Sequence, residues 1–209
     1  EQNAIPQALG LSADEWRSLK GPYPRYAEQT WLPPLGLGKE DFNHVRLRWC
    51  PQCIEGMPYI RAGWSFKLQV ICTKHDLWLQ DLCVACGNAQ PIEHPCLFCW
   101  HCGQMLSKGV TEKASIDAIA IQKKLEAALE ENIANRDPIA ISNWVRLIRY
   151  LGQFDGATLP RCPGQLSGLY DLNVGKRLVT NVASVLCDPW PTGFHQLLMK
   201  VQRGAEKSF

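Results

Sequence analysis

The sequence predicts a small α+β fold, mainly α-helical, in which a cysteine-rich centre separates a short N-terminal segment from a longer helical tail. Three observations predict it. Four pairs of potential metal ligands fall between Cys50 and Cys102, residues 64–70 alternate apolar and polar, and beyond Ser115 apolar side chains recur at helical spacing. The pairs are Cys50 with Cys53, Cys72 with His75, Cys83 with Cys86, and Cys99 with Cys102. Ligands separated by two residues reach one tetrahedral ion because the tight turn between them points both side chains inward, so each pair is half of a four-ligand zinc site. Four halves predict two structural Zn2+ ions in a central pair of zinc-finger or zinc-ribbon modules. The expected division is an incomplete N-terminal helical segment over 1–45, the tandem finger region over 46–110, and a C-terminal helical domain over 111–209.

Spacing favours pairing the halves in chain order. Between Cys53 and Cys72 lie 18 residues, within the range for one knuckle followed by its partner, and between Cys86 and Cys99 lie 12, enough for a short hairpin. The knuckle Cys-x-x-Cys-Gly occurs twice, ending at Gly87 and at Gly103, where glycine suits a turn that needs positive φ. Cys96 also stands three residues before Cys99, which keeps a second register open in which it replaces a ligand. A crossed arrangement, with the first and third knuckles on one ion, is open as well.

Length and charge set further bounds. The chain has 209 residues and begins with Glu rather than Met, so a trimmed chain or fragment is expected. A chain of this size buries roughly 70% of the surface its unfolded form exposes, so its core need not depend wholly on metal. Lys and Arg total 22 against 20 Asp and Glu. The finger region carries 6 basic and 4 acidic side chains. Metallation adds about −1 at a site of three thiolates and one imidazole and about −2 at a site of four thiolates, leaving the region near −1 and a weak attractor of phosphate backbones. Ten cysteines would suit a disulfide framework in an exported protein. The regular half-sites and the lack of a leader or a membrane-length apolar run favour a reduced, cytoplasmic protein instead.

Taken in order, Ser12 to Glu15 forms a capping box, with Trp16 and Leu19 as the stripe of a short helix that Gly21-Pro22 ends. Pro24, Pro33 and Pro34 break the next stretch into turns, and Trp31, Leu35 and Leu37 can pack onto the fingers. Residues 64–70, with Trp64, Phe66, Leu68 and Val70 on one face, predict a strand that delivers Cys72 to the metal, and 77–80 its return strand. A helix then begins at a Ser115 cap with Asp117 in its first turn, buries Ile121, Leu125, Ala128 and Leu129, and closes at Pro138. Ser142 is expected to cap a second helix, with Trp144, Leu147, Ile148 and Leu151 inward, Arg146 and Arg149 together on the opposite face, and Gly152 near its end. A third follows Asn173 through Val174, Leu178, Val182, Val185 and Leu186, and a last one presents Phe194, Leu197, Leu198 and Val201 after the turn at 188–193.

The order of motifs resembles the TniQ/TnsD family of transposition proteins. The matching letters are Arg46 to Cys53, then Tyr59, Arg61 and Trp64, then Cys72 and His75, then Leu79 to Gly87, then Cys99 to Gly103, and last Trp190 to Phe194. The resemblance covers most of the chain and is most specific in the finger portion. It implies a bacterial intracellular, non-enzymatic adaptor. Such an adaptor links a target-recognition element, whether target DNA or an RNA-guided targeting complex, to an AAA+ transposition ATPase of the TnsC type. Neither a membrane nor a small-molecule substrate is expected among its partners. The family's opening proline-rich stretch is not evident here, and Cys96 is extra; a helix-turn-helix would map most naturally onto residues 137–154.

Other readings set the contrast. A four-cysteine site could carry iron for electron transfer, but the histidine-containing partner site favours zinc. Catalytic zinc needs an open position, and both ligand sets are full. Arg146 and Arg149 are candidate nucleic-acid contacts, to phosphate rather than bases, against the simpler reading of a solvated helix face. Trp64, Trp78, Trp144 and Trp190 read as core, and Cys162 and Cys187 as buried thiols. His44, His94, His101 and His195 have no paired nucleophile at informative spacing, although His101 lies inside a knuckle. The alternative function is a sequence-specific zinc-dependent DNA-binding regulator unrelated to transposition; a zinc-stapled nuclease comes third.

Overall fold

The structure, a computed structural model, describes residues 37–94, 96–135, 138–154, 171–187 and 191–206. The expected capping box at Ser12, the turns around Trp31 and Leu35, Cys162 and Trp190 lie outside these residues. The described elements are helix α1 (Pro51–Gly56), strands β1 (Ile71–Cys72) and β2 (Leu77–Trp78), and helices α2 (Ile116–Asn135), α3 (Pro138–Leu151), α4 (Leu172–Leu186) and α5 (Thr192–Glu206), with three short 3-10 turns. The architecture is mixed helix with one small antiparallel sheet, in the register Ile71↔Trp78 and Cys72↔Leu77. No described helix is long and apolar enough to cross a membrane.

The strand expected over 64–70 does not form. Residues Ala62–Ser65 make a 3-10 turn instead, and only Phe66 bridges, to Phe42. Alternation correctly places Trp64, Phe66, Leu68 and Val70 in the core, yet Ser65 and Gln69 are buried too. The cause is a cation in place of a partner strand: buried Arg48 donates from Nη1 to the carbonyls of Lys67 at 2.7 Å and Gln69 at 3.2 Å. Those carbonyls are thereby satisfied without a ladder. The return strand is present but short, and it is extended by a Leu79 N–H to Val70 carbonyl bond and by the Trp49↔Gln80 bridge.

The helices follow the sequence more closely. Ser115 Oγ accepts from the Ala118 N–H at 3.3 Å, capping α2, and Ile121, Leu125 and Ala128 are buried as expected. Burial of Ile121 and Leu125 contributes about 1.5–3 kcal/mol each. Pro138 opens α3 and does not merely close α2, because proline suits a first turn whose N–H would be unpaired anyway. Ser142 therefore sits inside α3, and the buried seam is Ile141, Val145 and Ile148, with Trp144 and Leu151 only flanking it. Asp171 caps α4 by accepting from the Asn173 N–H at 2.8 Å, and Leu178, Val179, Val182 and Ala183 fill the centre. On α5, Leu197 is buried, while Leu198 is exposed, contrary to expectation.

Helix α2 packs on α3 and α4, and α4 on α5. Gly152 permits the closest approach, since a Cβ there would lie 2.5 Å from the Ile148 carbonyl oxygen and 2.7 Å from that of Leu178. Gly175 lets α4 touch the finger region, where a Cβ would come within 2.7 Å of Val70. The hydrophobic core accordingly runs without a break from Leu37 and Trp49 through Val70 to Val182, across both expected domain boundaries. Segment 112–114 reinforces the join: the Trp78 N–H donates to the Glu112 carbonyl at 2.9 Å, and that of Ala114 to the Asp76 carbonyl at 3.0 Å.

Arg146 and Arg149, three residues apart on α3, differ in burial. Arg146 is exposed, whereas Arg149 Nη2 reaches Asp41 Oδ1 at 2.6 Å, tying α3 to the segment before the fingers. Burial pushes the Asp41 carboxyl above its ordinary value; the Gly38 N–H and Arg149 pull it back only in part. The protonated carboxyl thus suits the folded state, and stability from this group is lost as pH rises through the raised value. Removing Arg149 raises it further. Arg149→Ala should cost on the order of 2 kcal/mol near neutral pH and less in acid, where Asp41 is protonated, while Arg146→Ala stays within about 0.5 kcal/mol. Urea denaturation of the metal-loaded protein at two pH values checks both. Gly152→Ala should lower stability by about 1–3 kcal/mol in thermal melts, because the obstructing atoms are backbone and cannot step aside.

Candidate metal centres

The first centre is assembled from α1 and the β-hairpin. Cys50 occupies the N-cap of α1 and Pro51 its first turn, so one turn of helix brings Cys50 and Cys53 to the same side. Cys72 ends β1; the His75 N–H then bonds back to the Cys72 carbonyl at 3.2 Å. Asp76 takes a left-handed φ of 57° and returns the chain to β2, a conformation that Asp tolerates better than most residues. The ligand atoms converge: His75 Nδ1 lies 3.4 Å from Cys50 Sγ, 3.3 Å from Cys53 Sγ and 3.7 Å from Cys72 Sγ, and Cys53 and Cys72 sulfurs are 3.5 Å apart.

The second centre is built from two knuckles that repeat each other. The Gly87 N–H donates to the Cys83 carbonyl at 2.8 Å and that of Gly103 to the Cys99 carbonyl at 2.9 Å. Their φ angles are +70° and +74°, the left-handed geometry for which glycine was expected. Cys83 N–H to Asn88 carbonyl and Cys99 N–H to Gln104 carbonyl close each loop as a small hairpin. Cys83 and Cys102 sulfurs stand 3.7 Å apart, Cys86 and Cys99 sulfurs 3.6 Å.

In each group all four ligand atoms lie within 4.8 Å of one another. A tetrahedral ion with bonds of about 2.3 Å to sulfur and 2.0 Å to nitrogen requires edges of roughly 3.8 Å and 3.6 Å, so both clusters fit one ion each. The sequential pairing is the one adopted, and the crossed arrangement is not. Cys96 belongs to neither group; its Sγ bonds to the Phe98 carbonyl at 2.8 Å. His101 is also outside the ligand sets. Cys187 lies exposed at the end of α4 and not in the core.

Electrostatics within the clusters favour a cation. At the first, the Cys50 thiol draws Cys72 down to about 5 against the opposing effect of burial, with help from Cys53 and the His75 and Lys74 N–H groups. Cys50 and Cys53 are correspondingly pushed up. At the second, burial raises Cys99, but N–H groups of Cys102 and His101, with Cys86 and Gln90, outweigh it and bring Cys99 down to about 6. Crowded sulfurs share few negative charges until a metal displaces the remaining protons, so affinity falls as pH drops.

Supporting groups carried no signature in the sequence. Buried Gln90 donates to Cys99 Sγ at 3.2 Å and to the Asn88 carbonyl at 3.1 Å, and accepts from the Trp100 N–H at 2.8 Å. On α2, the fully buried Gln122 accepts from the N–H groups of Val70 and Ile71 and donates to Gln69. Glu126 takes bonds from Gln69 and, at 2.7 Å, from Thr73, the residue after ligand Cys72. A lone glutamine among apolar neighbours carries no pattern that separates it from a solvent-facing one. The one hint was that Gln122 directly follows Ile121 on the buried stripe.

Elemental analysis of the folded chain should give two divalent ions per molecule. Cys53→Ser should reduce that number to one, and Cys96→Ser should leave it at two. Gln90→Leu should weaken the second ion by roughly tenfold in chelator competition, since the sulfur loses its hydrogen-bond donor.

Comparison of the chain with family models, with curated proteins and with solved structures finds no match.

Proposed function

We propose that this protein is a non-enzymatic targeting adaptor of DNA transposition, similar in kind to TniQ/TnsD proteins, and that its two metal centres hold structural Zn2+. The observation that carries the reading is the pair of four-ligand clusters set in one core with the helices. Each ion would take all its ligands from the protein, which suits a scaffold better than hydrolysis at an open metal position. The ordered motifs from Arg46 to Gly103 supply the link to transposition. In this role the helical surfaces meet an AAA+ ATPase of the TnsC type, and target recognition comes from DNA or from an RNA-guided complex. Arg149, held by Asp41, serves the fold, so of the two arginines Arg146 is the one presented to a polyanion.

Zinc suits these donors because soft thiolates with imidazole in a tetrahedron match its preference and need no redox change. The test is co-purification with a transposition ATPase encoded beside this chain's gene. Retention that is lost after chelation and regained with zinc is the expected result. No retention by the metal-loaded protein, or cleavage of DNA by the protein alone, would overturn the adaptor reading.

A further inference from the structure

Beside the second metal centre an open cleft of about 470 Å³ is lined by Arg46, Gln90, Glu93, His94, Trp100 and His101, among others. Trp100 stands inside the Cys99–Cys102 knuckle and is 57% exposed, although tryptophan usually hides most of its surface. One of its faces is taken by His94, with ring centroids 3.7 Å apart and planes within 2°. The exposure therefore belongs to the remaining face and edges of the ring. The backbone that carries the indole is held as well, because the Trp100 main-chain N–H bonds to Gln90, which in turn donates to the Cys99 sulfur.

Charge around this ring selects the occupant. Arg46 and Glu93 line the cleft with opposite signs, and the Arg46 guanidinium is 3.6 Å from Asp81. A divalent ion held by Cys83, Cys86, Cys99 and Cys102 leaves that cluster with a net charge of about −2. A flat π-face, a carboxylate and a negatively charged cluster together attract a cation and disfavour a phosphate. A guanidinium meets both demands, stacking on the ring while donating to the carboxylate, whereas an ammonium is a compact, strongly hydrated point charge.

We propose that this cleft binds an arginine side chain of a basic segment in a partner protein, with Trp100 as the stacking face and Glu93 as the ion-pair acceptor. The second metal centre then has a task apart from holding the fold: through Gln90 it fixes the backbone at Trp100, while the His94 stack orients the ring, so that binding needs little side-chain reordering.

The test uses the metal-loaded 209-residue chain and N-acetylarginine amide as probe, with its citrulline analogue as the uncharged isostere. In proton–nitrogen spectra the Trp100 indole N–H is identified by its loss in Trp100→Phe. The expected result is a saturable shift of that signal with the arginine probe, at least roughly threefold weaker with citrulline. Glu93→Gln should weaken it similarly, and added salt should weaken it further. Both substitutions are at exposed positions, and two bound ions per chain would verify that each variant is folded. Equal shifts from citrulline, a stronger response to adenosine monophosphate or a single-stranded oligonucleotide, or no shift at all would overturn the proposal.

Discussion

Four electron-rich side chains brought within a few ångströms of one another are the constraint on which the centre of this protein depends. At such separations thiolates repel one another, and a cation that replaces protons would offset that repulsion. Coordination of this kind contributes roughly 10–16 kcal/mol in isolated finger peptides, comparable to the whole stability of an ordinary domain. An ion at each cluster would bring stabilisation on that scale to a region whose strands have two residues and whose helix has six. Isolated bridges such as Trp49↔Gln80 and Phe98↔Met105 could not do so alone.

The first cluster is continuous with the helices through polar groups that are buried, as Gln122 and Gln69 are, or half-buried, as Glu126 and Thr73 are. Gln122 satisfies the N–H groups of Val70 and Ile71 just before ligand Cys72, and Glu126 holds Thr73 just after it. Burying such groups is unfavourable unless every partner is present, so the network joins the register of α2 to that of the metal hairpin. Arg48 acts in the same way on the other side. Burial lowers its guanidinium to about 10, yet it remains charged and supplies the carbonyls of residues 67 and 69. Lys176 closes the join from α4, reaching Glu112 at 3.0 Å and lying over the Trp78 ring.

The two centres face different environments. Cys50, Cys53 and Cys72 are buried in the joint between modules, while Cys86 and Cys102 lie at the surface among Val84, Phe98 and Trp100. The inner centre is placed to maintain the fold, and the outer one to present apolar and aromatic side chains. The proposed adaptor role would draw on this division, a rigid interior carrying a patterned exterior.

The four half-sites and the positive φ at Gly87 and Gly103 were legible in the sequence, because a two-residue spacing and a following glycine constrain the chain locally; the structure chose the sequential pairing over the crossed one and left Cys96 outside both clusters. The helices were legible for a similar reason, since Ser115, Asp117 and the Ile121 to Leu125 stripe act within a few turns. Where expectation failed, a distant group had intervened. Arg48 removes the need for a strand at 64–70, and the closely packed helices rotate α3 to bury Ile141 and Val145 in place of Trp144 and Leu147. Asp41 turns Arg149 inward across 108 positions of sequence. Sequence alone picked out the half-sites, because each Cys-x-x-Cys or Cys-x-x-His pair is set by neighbours along the chain. Only the tertiary structure decided which polar residues are buried and which tryptophan is displayed, because burial is fixed by segments far apart in sequence.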